Sequence, residues 1–121
     1  MLHGYGGRYG PDKFFFEGEF ENGIPHGVGK QFFLVKGDRY SYTGFYENGL
    51  KHGHGTQWYK NNDQYTGFWK KDKRHGTGKL IYSKPNPKFK YFGKFKKDKI
   101  CGSGCFTYRG DGREEKGKFY E

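Results

Sequence analysis

Glycine recurs in register along this chain, and that register limits what the chain can fold into. Aligned on glycine, the segments 16–33, 42–59, 65–82 and 91–108 carry one pattern. Each opens aromatic-x-Gly-x-aromatic, as in Tyr42-Thr-Gly44-Phe-Tyr46 or Tyr65-Thr-Gly67-Phe-Trp69. Six positions after the second aromatic stands His-Gly-x-Gly at His26, His52 and His75, with Cys101 in that place in the last unit. Seven positions further an aromatic closes the unit: Phe33, Tyr59, Tyr82 and Tyr108. Half-units flank the array at 3–10 and 115–121.

Within a unit the spacing is fixed; between units it varies, from 33 to 42, 59 to 65, 82 to 91 and 108 to 115. A β-meander gives this alternation when one row of turns is tight and the other is a row of loops. Asn22-Gly23 and Asn48-Gly49 are strong hairpin-turn dipeptides, because both can take positive φ. Lys71-Asp72 and Lys97-Asp98 fill the same places with weaker turn chemistry. Side chains alternate across a strand. Tyr65, Gly67 and Trp69 therefore share a face, as do Tyr42, Gly44 and Tyr46, and Tyr91, Gly93 and Phe95. Glycine leaves room for a neighbouring ring to lie flat over the backbone. The opposite face mixes Glu17, Glu19, Lys94 and Lys96 with Phe45, Phe68 and Trp58, and cannot be buried throughout. The reading is all-β: one elongated, single-layer antiparallel meander of stacked hairpins, in a single domain over 1–121.

Composition agrees. Hydrophobic residues make up 31% of the chain and aromatics 21%, so most apolar side chains are rings. That excludes a thick aliphatic core, and it argues against the disorder that 30% charge would otherwise suggest. The net charge of +10 is uneven: residues 1–60 hold 7 basic and 6 acidic side chains, residues 61–121 hold 16 and 7. Cys101 and Cys105 on one strand would lie about 13 Å apart at ~3.3 Å per residue, beyond disulfide reach. Two free thiols in a reducing, cytoplasmic setting are expected, and no apolar run reaches the ~20 residues of a membrane helix.

The tract from Tyr42 to Gly55, with its three companions, closely resembles the MORN (membrane occupation and recognition nexus) repeat, over almost the whole chain. Departures are Cys101 for the usual His, Phe16 for the first Tyr, and inserts after Phe33 and Tyr82. The resemblance implies a twisted single-layer sheet with an aromatic-lined groove and a non-catalytic role. It also implies the settings of the family: axonemal and other cytoskeletal assemblies, membrane junctions, and modules attached to lipid kinases. On that footing the chain is expected to be a protein-binding scaffold in a cytoskeletal or ciliary assembly. The alternatives are a peripheral membrane adaptor and an accessory module of a longer enzyme.

Two surfaces are candidates. The aromatic face comprises Phe16, Phe20, Tyr42, Tyr46, Tyr59, Tyr65, Trp69, Tyr82, Tyr91, Phe95 and Tyr108. A single layer has nothing to cover it, so it could receive an amphipathic helix or an extended peptide. The basic patch comprises Lys70, Lys71, Lys73, Arg74, Lys96, Lys97 and Lys99 on two adjacent turns, where earlier units carry Glu21 and Glu47. It suits an acidic protein segment or an anionic lipid surface. Interleaved rings and lysines can also hold single-stranded nucleic acid, but these rings are committed to packing, which weighs against that partner. Successive histidines would lie ~10 Å apart, too far to share one ion. No metal, cofactor or catalytic residue is expected, and no nucleophile or phosphate-loop signature is present. The half-units leave open sheet edges, which predicts end-to-end self-association or continuation into further repeats.

Overall fold

The computed structural model describes residues 4–9, 14–33 and 39–121, and these form one antiparallel sheet with its strands in chain order. The strands are β1 (Gly4–Tyr9), β2 (Phe14–Glu21), β3 (Ile24–Phe33), β4 (Arg39–Glu47) and β5 (Leu50–Tyr59). They continue as β6 (Gln64–Lys70), β7 (Lys73–Ile81), β8 (Lys88–Lys96), β9 (Lys99–Tyr108) and β10 (Glu114–Tyr120). The all-β meander read from the repeat is the observed fold. Residues 3 and 10 of the first half-unit, and 34–38 of the first insert, lie outside the described residues.

Four two-residue turns close the full hairpins: β2–β3, β4–β5, β6–β7 and β8–β9. Both central residues have positive φ in every case: Asn22 55° and Gly23 78°, Asn48 52° and Gly49 84°, Lys71 49° and Asp72 71°, Lys97 49° and Asp98 72°. This is the type I′ geometry that matches strand twist. The lysine–aspartate turns adopt it without glycine, at roughly 1–2 kcal/mol per residue.

A hydrogen-bonded staple explains why aspartate replaces glycine there. From the second full unit on, each turn's second residue docks on the second residue of the previous unit's return strand. Gly49 N–H donates to Pro25 O (2.9 Å), Asp72 N–H to Lys51 O (3.0 Å) and Asp98 N–H to Arg74 O (3.0 Å). Where the previous unit offers an N–H in return, an aspartate accepts it: Lys51 N–H to Asp72 Oδ1 at 2.8 Å, Arg74 N–H to Asp98 Oδ1 at 3.2 Å. Pro25 has no N–H to offer, and its partner is glycine. Asp72→Ala keeps the backbone strain and removes the carboxylate that accepts from Lys51 N–H, so it should lower stability by about 1–3 kcal/mol. Asp72→Asn, which keeps an acceptor, should cost less; urea midpoints of the two variants check the difference.

The His-Gly step is a β-bulge in the return strand. Gly44 pairs with Gly55 and Tyr46 with Lys51, so His52, Gly53 and His54 together oppose Phe45. The same shift recurs between Gly18 and Phe20, Gly67 and Trp69, and Gly93 and Phe95. The glycine after the His or Cys absorbs it at positive φ: Gly27 95°, Gly53 76°, Gly76 78°, Gly102 118°. Glycine is the residue that takes this region without steric cost.

Past the bulge, the core is a continuous file of rings. Phe16–Phe20, Tyr42–Tyr46, Tyr65–Trp69 and Tyr91–Phe95 pair within a strand at 5.2–5.4 Å. Between units, Phe16–Tyr46 meet at 4.9 Å, Tyr42–Trp69 at 5.4 Å and Tyr65–Phe95 at 5.0 Å. All are edge-to-face, worth about 0.5–1.5 kcal/mol each beyond the area buried. The bridged strand between two such units carries glycine, and Tyr42 lies over Gly55, Tyr65 over Gly78 and Tyr91 over Gly104. Each of these hydroxyls returns to its own strand at the bulge: Tyr42 Oη–H donates to Phe45 O (3.0 Å), Tyr65 to Phe68 O (2.8 Å), Tyr91 to Lys94 O (3.1 Å). In the first unit Phe16 has no hydroxyl; there the Glu19 carboxylate accepts Val28 N–H at 2.6 Å.

Candidate interaction surfaces

The aromatic face is less open than the sequence suggests. Phe16, Phe20, Tyr42, Tyr46, Tyr65, Trp69, Tyr91 and Phe95 are all 5% exposed or less, because the rings cover one another across the glycines. Tyr59, Tyr82 and Tyr108 pack against that core but stay half-buried. Burial holds the Tyr42, Tyr46 and Tyr65 phenols in their neutral form and pushes Tyr82 up to about 12. The face opens at a cavity of about 440 Å³ between Tyr59, Arg74, Leu80 and the 60–63 loop.

Two cations belong to this face and not to solvent. Lys51 is buried; its Nζ donates to Gln57 Oε1 at 2.7 Å and stands 5.2 Å from the Tyr42 ring and 5.0 Å from the Trp69 ring. Arg74, grouped by sequence with the basic patch, lies over Phe95 and Tyr65 instead, with Nε 2.8 Å from Asp98 Oδ1. The two-residue turns set Lys51 opposite Tyr46 and Arg74 opposite Trp69, so both side chains share the face of those rings. Strand alternation carries the signal, since Lys51 shares the parity of Gly55 and Arg74 that of Gly78, whereas a count of charges along the turn does not.

The remaining basic residues line the turn edge. Lys70, Lys71, Lys73 and Lys97 surround a cavity of about 370 Å³ together with His75. Lys96 and Lys99 are exposed on the neighbouring turn but do not line it. Earlier in the array the corresponding positions are acidic and face the bulge histidine: Glu21 lies 3.8 Å from His26, Glu47 3.3 Å from His52. In the third unit Lys70 stands where those acids stand, so the edge changes sign between the second and third units.

The outer face carries the largest exposed apolar side chains. Val28 pairs with Phe45 across β3–β4, and His54 with Phe68 across β5–β6. Val28, Phe45 and Phe68 are 49–51% exposed, and Phe32 and Trp58 follow at 42% and 39%. Beyond β6 the same face mixes Phe92, 54% exposed, with the exposed Lys79, Lys94, Lys116 and Lys118. Strand alternation alone had put Phe45, Phe68 and Trp58 here.

Cys101 and Cys105 are free thiols on β9. Among the described residues no group of three His, Cys, Asp or Glu side chains is placed to hold a metal ion, and no helix is long and apolar enough to cross a membrane.

An open, single-layer array of hairpins with a self-covered ring core and two contrasting surfaces defines a β-repeat binding module. The sequence profile of the MORN repeat matches residues 16–33, 42–64, 65–84 and 91–113. The chain belongs to the MORN repeat family, whose repeats generally bind proteins or membrane lipids. Comparison with curated proteins gives no match.

Proposed function

We propose that the chain is a non-catalytic, cytoplasmic scaffold that holds a protein partner within a cytoskeletal or axonemal assembly. The observation that carries the reading is the exposed apolar row Val28–Phe45–Phe68, which continues on the same face into lysines around Phe92. An amphipathic helix or extended peptide with an apolar half and an acidic half complements that sequence of surfaces. The ring face, already packed, serves as the rigid spine and offers a partner only the opening beside Tyr59 and Arg74. The cytoskeletal setting rests on the family's occurrence.

Phe45→Asp with Phe68→Asp should abolish recovery of cross-linked protein partners while the chain stays folded by circular dichroism, with a lower melting temperature because half of each ring is buried. Partner recovery identical to the wild type would overturn the apolar-row reading. A second reading, membrane attachment, is favoured by the lysine-lined cavity at the turn edge. Lys71→Glu with Lys97→Glu separates the two: loss of flotation with anionic vesicles, partner recovery intact, assigns lipid binding to that edge.

A further inference from the structure

The two edge strands are complementary halves of one repeat. β1 pairs with β2 as a return strand pairs with the following unit: Gly4 faces Phe20 and Gly6 faces Gly18, as Gly53 faces Trp69 and Gly55 faces Gly67. Gly4 has φ 87°, within the 76–118° of the interior bulge glycines. β1 therefore holds the bulged conformation at one edge of the sheet that the described residues form. β10 is the opposite case. Gly117 faces Gly104 as Gly67 faces Gly55, and Phe119 packs on Phe106 at 4.7 Å and Tyr91 at 6.4 Å, as the second aromatic of a unit does. It has the place of a forward strand at the other edge of that sheet.

We propose that the chain associates head to tail, β10 of one copy pairing antiparallel with β1 of the next to complete a hairpin unit in trans. The register follows from the complete units, where glycine faces glycine (44 with 55, 67 with 78, 93 with 104) and Tyr42 faces Gln57, Tyr65 faces Leu80 and Tyr91 faces Phe106. Carried to the edges, Gly117 faces Gly6 and Glu115 faces Arg8. Both charged residues depart from the repeat at ring-face positions, and they carry opposite signs. Arg8 is already held toward this face, its guanidinium 5.0 Å from the Phe20 ring and donating to Gly23 O at 2.6 Å. Glu115 accepts from Tyr108 Oη–H at 3.0 Å. The nearest atom to a Cβ built on Gly6 is 3.8 Å away, whereas the ring of Tyr42 fills that space above Gly55. The space over Gly6 is open for the incoming strand.

Such a contact uses two different patches, so it propagates instead of stopping at a dimer. The 121-residue chain should show a weight-average mass in sedimentation that rises with concentration past the dimer. Arg8→Glu and Glu115→Arg should each weaken association roughly tenfold, by setting like charges opposite one another across the strands. Mixed in equal amounts, the two variants should regain wild-type association, because each then presents the charge the other lacks at both junctions. Circular dichroism of each variant alone separates loss of contact from loss of fold. A wild-type chain that stays monomeric overturns the proposal. So does a plateau at the dimer, which like-with-like edge pairing would give, single variants that associate as well as the wild type, or a mixture of folded variants that remains apart.

Discussion

Gly78→Ala is expected to cost roughly 3 kcal/mol or more, at the upper end of what an added methyl does in a packed interior. The reason is steric, not conformational. Gly78 has no left-handed φ, so its backbone suits alanine, unlike Gly76 at 78°. A Cβ there would overlap the Tyr65 ring and its hydroxyl, which lie flat on the glycine. To make room, Tyr65 must leave its contacts with Trp69 at 5.2 Å and Phe95 at 5.0 Å, and its hydrogen bond to Phe68 O. The damage therefore spreads through its own unit and into the next. Tyr65→Ala should also be costly, but the double variant Tyr65→Ala/Gly78→Ala should cost clearly less than the sum, since the methyl then fills part of the space the ring left. Urea unfolding of the three chains measures the coupling; simple additivity would mean that ring and glycine do not oppose each other.

That pair also marks how far the sequence could be read. The glycine register, strand order and ring file follow from spacing, because period-two alternation and hairpin geometry leave few alternatives. The bulge was hidden, because His-Gly spaced six residues after an aromatic suits a turn as well as a bulge. Only the pairing of Gly44 with Gly55 and Tyr46 with Lys51 shows three residues opposing one. Lys51 and Arg74 face the rings because the tight turns pair them with Tyr46 and Trp69, a placement that alternation carries and a charge count along the turn does not. The exposure of the aromatic face was overestimated for a related reason: rings lying over the glycines of an intervening strand cover each other without a second layer. Arg8 and Glu115 read as incidental charges in half-units until the register set them opposite.

Alkaline unfolding should begin near pH 10. Tyr42, Tyr46 and Tyr65 have pKa values raised chiefly by burial, and Tyr82 is pushed up to about 12 by the same cause. Below pH 10 these phenols are neutral in both folded and unfolded chains, so they contribute no pH dependence. Above it the unfolded chain releases protons that the folded chain retains, and stability falls as pH rises. Each phenol contributes a slope of about 1.4 kcal/mol per pH unit until its folded pKa is reached. Three fully buried phenols would together give about 4 kcal/mol per unit, enough to remove a typical small domain's stability within roughly one to three units. Tyrosinate absorbance should rise in step with loss of the β signal in circular dichroism. Tyr82→Phe should flatten the curve only between about 10 and 12, whereas Tyr65→Phe should remove one phenol's slope beyond that window as well. Stability that stayed level to pH 12 would mean that water reaches these hydroxyls, and the ring file could not then be the dry core that holds the units in line.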